Sequence, residues 1–356
     1  MKMVSTQKNV RGRFSVRLLG LMMVLVLLAG CGGPALAAAN AEVSGKIVIY
    51  TSMYEDIIEM LEPVMKRVFP NVTVEFFYGG TGTLQAKLAA EIDSGAVGCD
   101  MLMVADPSYA MELQEANMLH SYMSPEAASL AFDYDPEGRW YPVRLNHMVL
   151  GYNPDRYSKE ELPNSMYGFA FDSSVKGAIS KSNPLTSGTA LASIVALYDK
   201  YGLEYFQALG NQGVMIESGS VALTKLETGE CKVIMILEES ILKKREEDDS
   251  RLEVIYPTDG TIVMPSPIMA VSNEWSANKN TAAAEAIIDW FLSPEGQSYM
   301  VAGWMHSVRK DAAKAPYDAL PTAEIHANYM PVDWIRAYQL RDYFRTQFVE
   351  SVQTPR

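Results

Sequence analysis

The sequence predicts an α/β protein built from two doubly wound lobes. Three observations predict this fold class: short apolar, β-branched runs alternate with amphipathic helical patterns, the connections between them are short, and two long extended segments separate two such regions. Alternation of this kind is typical of parallel sheets covered by helices. Two extended crossings between the lobes predict a hinge with a cleft beside it.

The first region reads as strand and helix three times over. KIVIYTS (46–52) is the first buried strand, and residues 53–70 repeat apolar positions at intervals of three and four, which predicts a helix ending near Pro70. The same alternation then predicts a strand, a helix closed by Gly95, a third strand and a third helix with a stop at Asn117, in the ranges 71–79, 83–95, 99–106 and 107–119.

The second region lies between the crossings Tyr141–Tyr152 and Ile262–Ser272. It contains strand patterns ending at 184, 218 and 240, helical patterns at 189–202 and 220–229, and a charged run at 243–251 that we interpret as a solvated helix end and loop. We therefore predict one lobe from 45–145 with a return at 265–356, which includes the C-terminal helices, and a second lobe from 146–264.

The N-terminal residues 1–30 are typical of a secretory signal, with five basic residues followed by an apolar run. The motif L-A-G-C (Leu28–Cys31) resembles the bacterial lipobox. We interpret Cys31 as a lipidated first residue and 31–44 as a flexible tether, which predicts an exported protein anchored by lipid to the cell membrane, facing the periplasm or the cell exterior. Ordinary signal-peptidase cleavage after Ala35–Ala37 is the alternative.

Charge and cysteine content limit the function classes. Without the five basic residues of the signal, 25 Lys and Arg stand against 43 Asp and Glu, a formal net charge of −18. Such a charge argues against nucleic acid or an anionic membrane surface as a partner. Cys99 and Cys231 each start an apolar run, so we interpret them as buried structural cysteines, with one disulfide as the alternative.

Three hydroxyl-rich or glycine-rich turns precede predicted helices. FYGGTGTLQAKLAAEI (Phe77–Ile92) suggests a nucleotide P-loop, but Thr83 follows Gly82 where that motif needs lysine. Each turn alone is explained as a helix N-cap. Together, at the carboxyl ends of strands, they predict an anion site made of hydroxyls and backbone N–H groups. Its members are Thr51, Ser52, Gly80, Thr81, Gly82, Thr83, Ser187, Gly188 and Thr189.

The segments IVIYTS, FYGGTGTLQAKLAAE, NPLTSGTAL, ETGECKVIMIL and AIIDWFLSPEGQ resemble the bacterial solute-binding proteins of ABC importers. The resemblance covers the mature chain and is strongest to the branch that includes ferric-ion, sugar-phosphate and 2-aminoethylphosphonate binders. It implies the type II periplasmic-binding fold, a monomer without a cofactor that closes around a small solute and presents it to a permease and ATPase complex.

The residues favour a small anionic solute, an organophosphonate or phosphate ester. The phosphonate and sugar-phosphate members clamp the phosphoryl group with hydroxyls and helix-terminal amides, as the three turns would. Arg144 and Lys181 are candidate assistants, and Tyr54 and Asn146 are candidate contacts. One of the neighbouring carboxylates Glu238 and Glu239, taken to alternate at a strand end, suits sugar hydroxyls or the ammonium group of a zwitterion such as 2-aminoethylphosphonate.

Two alternatives stay open. Ferric binders hold iron with adjacent tyrosines, which this chain lacks, but Tyr54 with Glu238 and Glu239 would offer an oxygen cage. A metal-dependent phosphohydrolase is the other alternative. The chain has no catalytic motif, and its four histidines are spread along the sequence, so we predict no enzyme and no metal site, with His147 in a structural role.

Overall fold

The computed structural model describes residue 40, residues 42–312 and residues 314–353. Cys31, the predicted signal segment and most of the predicted tether lie outside these ranges. None of the helices in the described part of the chain has the length and apolar character needed to cross a membrane.

Strands and helices alternate in the predicted order. The strands are β1 (Gly45–Thr51), β2 (Val72–Tyr78), β3 (Met101–Met103), β4 (Tyr141–Tyr152), β5 (Ile179–Ser182), β6 (Met215–Glu217), β7 (Val233–Leu237), β8 (Glu253–Ile255), β9 (Thr261–Ala270) and β10 (Tyr329–Met330). The helices are α1 (Glu55–Val68), α2 (Thr81–Ser94), α3 (Pro107–Glu115), α4 (Met166–Phe171), α5 (Gly188–Tyr201), α6 (Leu203–Gln212), α7 (Gly219–Thr228), α8 (Glu238–Glu247), α9 (Thr281–Leu292), α10 (Pro294–Ala302), α11 (Thr322–Ala327), α12 (Trp334–Gln339) and α13 (Arg341–Gln353).

Local sequence explains the helix bounds. Helix α1 buries its predicted apolar stripe against the sheet, and its exposed residues face solvent. Helix α2 ends because Gly95 adopts the left-handed conformation at φ 78°, which only glycine adopts without strain. Helix α3 starts at the N-cap Asp106, whose carboxylate accepts a hydrogen bond from the Ser108 backbone N–H.

The described strands form one ten-stranded sheet in the order β2-β1-β3-β9-β4-β7-β5-β6, with β10 beside β9 and β8 beside β4. Strands within each lobe pair in parallel, as β1 does with β2 and β3, and β5 with β6 and β7. The sheet is mixed because the two crossings, β4 and β9, run antiparallel to each other, with a register shift between Pro142 and Arg144. All twelve residues of β4 are buried, so the hinge lies inside the molecule.

Each lobe has its own apolar core. The first is built on β1, α1, α9 and α10, and the second on β5, α5, α6 and the C-terminal helix. The second core corrects our expectation that all of 265–356 returns to the first lobe. Phe344 and Phe348 of α13 are buried, Phe344 against Tyr198 of α5 and Phe348 against Phe206 of α6.

The structure also corrects the expected position of Glu238 and Glu239. Glu238 and Glu239 do not end a strand; they form the first turn of α8, where the positive end of the helix dipole favours carboxylates. Their side chains therefore do not alternate across a sheet, and both are buried.

Cys99 and Cys231 are free and buried, which confirms the structural interpretation and excludes their pairing here.

We expect Phe348→Ala to lower the free energy of unfolding by about 3–5 kcal/mol, since it removes a buried ring from the second core. The control is Ile335→Ala on α12, whose side chain is 60% exposed and should cost less than about 0.5 kcal/mol. Urea denaturation measures both. Equal, small losses in the two variants would contradict the docking of α13 on the second lobe.

Candidate functional site

The two lobes are in contact across the cleft, at two of the predicted turns. The Gly82 backbone N–H, at the start of α2, donates to the carbonyl oxygen of Thr186 at 3.1 Å. A Cβ on Gly188 would lie 2.9 Å from the Thr81 Cβ, so this glycine permits the close approach of the two helix starts. The turns 80–83 and 187–189 therefore lie against each other, and the Gly82 N–H has a partner within the chain.

Several hydroxyls of the three turns already have partners within the fold. Thr51 donates to the Met103 carbonyl and accepts from the Met53 N–H, both at 3.1 Å. Ser187 caps α5 by accepting from the Ala190 N–H at 3.2 Å, and it lies 3.0 Å from the Thr189 hydroxyl. For Thr51 and Ser187 the structure therefore supports the capping or turn role that any such residue has.

The remaining turn residues differ in exposure. Thr81 is buried and accepts from the Ala105 N–H at 3.3 Å, whereas Gly80 and Thr83 are exposed. Ser52 is half-buried, and its hydroxyl accepts a hydrogen bond from the Arg144 guanidinium at 3.3 Å. Ser52 thus connects the turn after β1 to the hinge.

Arg144 is a buried cation at the hinge. It lies on β4 in the hinge, is 3% exposed, and forms no ion pair with a carboxylate in the described part of the chain. One guanidinium nitrogen donates to Ser52 Oγ, a second lies 3.3 Å from Met305 Sδ, and Nε has no hydrogen-bond partner among the described residues. Burial lowers the pKa of Arg144, an effect that Glu239 and Tyr54 oppose.

Glu239 faces the same region from the second lobe. Its two carboxylate oxygens accept from the Asn146 Nδ2 at 2.7 and 2.8 Å, and Asn146 Oδ1 accepts in turn from Ser266. Burial raises the pKa of Glu239 to about 7, against the opposing effects of Arg144 and Asn146. Asn146, Arg144 and Glu239 are thus brought together, as three of the predicted contact residues.

Tyr54 joins the two lobes beside them. Its hydroxyl lies 3.2 Å from Ser240 Oγ at the start of α8. Burial, with a contribution from Glu239, raises the pKa of Tyr54 to about 12, so this phenol keeps its proton at neutral pH. The predicted oxygen cage for iron is not assembled, because Glu238 turns away from Tyr54 and toward a group of histidines.

That histidine group was missed by the sequence analysis. Glu238 Oε2 lies 2.9 Å from His147 Nδ1 and 3.0 Å from His306 Nε2, and Glu238 Oε1 accepts from the Tyr256 hydroxyl. His326 lies beyond, with its Nε2 3.4 Å from His147 Nε2. Burial alone would raise the pKa of Glu238, but the hydrogen bonds from the two histidines hold it at about 2. Three of the four histidines are therefore neighbours in space.

Asp106 was also missed. Its Cβ lies 2.9 Å from the position of a Cβ on Gly188, so the carboxylate borders the start of α5. Its Oδ2 is buried without a hydrogen-bond partner among the described residues, and burial raises the pKa of this carboxyl group. The only sequence signal for it was its place after β3, at the same sheet edge as the other turns.

Lys181 contacts other residues than Arg144, Asn146 and Glu239 do. Its side chain is 1% exposed, its Nζ donates to the Ser182 carbonyl at 3.3 Å, and it lies 4.8 Å from the centre of the Phe348 ring. It forms no ion pair within the described residues. Burial lowers the pKa of Lys181 to about 7.

Two α/β lobes, joined by buried crossing strands and meeting at a polar cleft, define the class of hinged solute-binding proteins. Sequence comparison identifies the family within that class. A model of the bacterial extracellular solute-binding protein family matches residues 98–339, more than half of the chain. The protein belongs to this family.

Solved structures share the type II periplasmic-binding fold over nearly their whole length. The periplasmic binding protein AfuA from Actinobacillus pleuropneumoniae, with exogenous fructose-6-phosphate bound, is 20% identical with a TM-score of 0.75, covering 87% of this chain and 99% of that one. Iron-bound HitA from Pseudomonas aeruginosa is 19% identical with a TM-score of 0.74, covering 85% and 99%. The substrate-binding protein of an ABC transporter from Agrobacterium tumefaciens is 17% identical with a TM-score of 0.72, covering 88% and 96%.

The buried Lys181 predicts a pH-dependent stability. The pKa of Lys181 is about 7 in the folded state against an ordinary value of 10.5. Between these two pH values the unfolded chain binds more protons than the folded chain, so the contribution of Lys181 to the free energy of unfolding rises with pH. Lys181→Met should therefore raise the melting temperature by several degrees at pH 6, and the gain should shrink toward pH 10.

The matched control for this variant is Lys176→Met, at an exposed lysine just before β5. Its effect on the melting temperature should be small and nearly independent of pH. Thermal unfolding followed by circular dichroism from pH 6 to pH 10 measures both variants. A Lys181→Met protein that is equally destabilised at every pH would contradict the cost assigned to the buried ammonium.

Proposed function

We propose that this protein captures a small organophosphorus anion, a phosphonate or a phosphate ester, by closure of its hinge, and delivers it to the permease and ATPase of an ABC importer. The observation that carries the proposal is Arg144, a buried guanidinium at the hinge that has neither an ion-paired carboxylate nor a hydrogen-bond partner for Nε among the described residues. A cation held in this way is stabilised by an anionic guest.

Geometry favours a phosphoryl group as that guest. The planar guanidinium donates two parallel hydrogen bonds to two oxygens of one phosphate or phosphonate, which a lysine does not do. The hydroxyl of Ser52 lies beside it, and the starts of α2 and α5 meet at the same cleft with their N–H groups and with Thr81, Thr83 and Gly188. Helix N-termini add a favourable field for an anion without any formal charge.

Glu239 selects the other end of the solute. Its carboxylate, at the start of α8 and within electrostatic reach of Arg144, would accept from an ammonium group or from sugar hydroxyls. A zwitterion such as 2-aminoethylphosphonate would place its phosphonate at Arg144 and its amine at Glu239. AfuA, a relative in fold, holds fructose-6-phosphate, which supports a phosphorylated solute with hydroxyls as the second candidate.

The chemistry of Tyr54 supports an organic anion over Fe(III). Ferric ion prefers phenolate and carboxylate oxygens, whereas here the Tyr54 hydroxyl lies against Ser240 and Glu238 is bonded to histidines. HitA, also a relative in fold, is iron-bound, so the likeness in fold does not choose between the two ligands and the residues of this chain carry the preference. A colourless protein after incubation with ferric citrate is the expected result.

We propose that the protein binds its solute without turning it over and that it acts as a monomer. The side chains of His147, Glu238 and His306, where acid–base chemistry would be sought, are bonded to one another rather than to the Arg144 and Glu239 side chains. The L-A-G-C motif supports lipid anchoring at Cys31, which keeps a receptor beside its transporter.

Arg144→Gln should weaken binding of the organophosphorus solute by about 100-fold or more, because each hydrogen bond to a charged group is worth about 1.5–3 kcal/mol. The first measurement is a thermal-shift panel with 2-aminoethylphosphonate, hexose phosphates, phosphoglycerate, thiamine phosphates and ferric citrate, in which a bound ligand raises the melting temperature. Isothermal titration of the best ligand then compares wild type and variant.

The control for that titration is Arg251→Gln, since the Arg251 side chain is 72% exposed. Its affinity should equal that of the wild type. Unchanged affinity in Arg144→Gln would overturn the proposed anion site. Release of phosphate during incubation with the phosphate esters would instead favour the phosphohydrolase.

Glu239→Gln should distinguish the two solute types. The substitution removes the negative charge but keeps an acceptor oxygen, so it should weaken an aminated ligand by about 10-fold or more and a hydroxylated one much less. Isothermal titration with 2-aminoethylphosphonate and with its analogue lacking the amine, ethylphosphonate, measures the difference. Equal losses for both ligands would contradict an ammonium at Glu239.

A further inference from the structure

The histidine group at the hinge has the composition of a metal site. Two imidazole nitrogens and one carboxylate oxygen, from His147, Glu238 and His306, lie within 4.8 Å of one another. Each comes from a different element: β4, the first turn of α8, and the segment after α10 that bridges to Leu145. Two histidines and a glutamate form a donor set known for Zn²⁺ in proteins.

The distances suit a tetrahedral ion. With metal–nitrogen and metal–oxygen bonds of about 2.0–2.1 Å, two ligand atoms in a tetrahedron lie about 3.3 Å apart. Glu238 Oε2 lies 2.9 Å from His147 Nδ1 and 3.0 Å from His306 Nε2. These two carboxylate–imidazole distances are a few tenths of an ångström shorter than ligand spacing, and the two imidazole nitrogens lie within 4.8 Å of each other.

The surrounding hydrogen bonds fit the same role. A ligating imidazole donates its other N–H to an acceptor, which fixes the tautomer. The free nitrogen of His306, Nδ1, lies 2.8 Å from the Thr322 hydroxyl, and that of His147, Nε2, lies 3.4 Å from His326 Nε2. Glu238 Oε1 is held by the Tyr256 hydroxyl. Each candidate ligand thus has a partner on the side away from the others.

Charge points the same way. Glu238 is 1% exposed and is approached by imidazoles and a phenol, and it forms no ion pair with lysine or arginine within the described residues. A buried carboxylate is costly unless a positive charge lies beside it. A divalent cation between the two histidines would supply that charge.

We propose that His147, Glu238 and His306 bind one divalent transition-metal ion of the Zn²⁺ type. The ion would join the hinge strand to the second-lobe helix α8 and to the segment at Met305–Val308, whose apolar residues belong to the first core. It would therefore be a resident ion that stiffens the hinge, separate from the solute bound at Arg144.

Equilibrium dialysis of the chelator-treated protein against Zn²⁺, followed by elemental analysis, tests this site. We expect one Zn²⁺ per chain and a higher melting temperature with the ion. Titration with Co²⁺ should give the strong visible absorption of a tetrahedral complex. No solute is present in these experiments, so their result does not depend on the organophosphorus proposal.

Variants locate the ion. Glu238→Gln and His306→Asn should each lower Zn²⁺ affinity by more than about 100-fold, and Thr322→Val, which removes only a hydroxyl beside His306, by about 10-fold. The matched control is His120→Asn, because His120 is the histidine outside the group and pairs with Glu285. It should bind Zn²⁺ as the wild type does.

Three results would overturn the inference. They are a wild-type protein that retains no stoichiometric Zn²⁺, a folded Glu238→Gln or His306→Asn protein that binds it with wild-type affinity, and a loss of binding in His120→Asn. Circular dichroism establishes which variants fold. If the two ligand variants do not fold, the wild-type stoichiometry and Thr322→Val decide the question, and unchanged affinity in Thr322→Val then counts against the site.

Discussion

Two adjacent buried carboxylates must both be satisfied where α8 begins, and the hinge strand satisfies them. Asn146 bonds Glu239 and His147 bonds Glu238, so two neighbours on β4 hold two neighbours on the helix. Successive β4 side chains point to opposite faces of the sheet, which divides the pair into two environments. Glu239 faces the cleft beside Arg144, and Glu238 faces the histidines. Because breaking the hydrogen bonds of a buried carboxylate costs several kcal/mol, this pairing fixes α8 relative to the hinge.

Much of the fold was predictable because it is encoded locally. The alternation of strands and helices, the stop at Gly95 and the burial of both cysteines follow from short-range patterns. Arg144 was selected because it lies on a crossing. The histidine group was not predictable, since its contacts join residues 68 and 91 positions apart and no local spacing marks them. The packing of α13 against the second lobe also depends on long-range contacts, which sequence periodicity does not encode.

The proposed anion site would explain how so acidic a chain recognises an anion through local donors. The formal net charge is −13 for the whole sequence, yet one guanidinium at the hinge lies where water has little access. In such a place a charge interacts far more strongly than at the surface, so a single arginine with helix termini outweighs distant carboxylates.

The last two helices touch both lobes with very different strength. Toward α3 they make polar contacts, from Arg341 to Glu112 and from Tyr338 to Glu115. Toward α5 and α6 they bury Phe344 and Phe348 in aromatic packing. If the two lobes separate, we expect the polar contacts to α3 to break before the aromatic packing against α5 and α6. We therefore expect α13 to move with the second lobe, and a label attached to this helix would report the movement of that lobe.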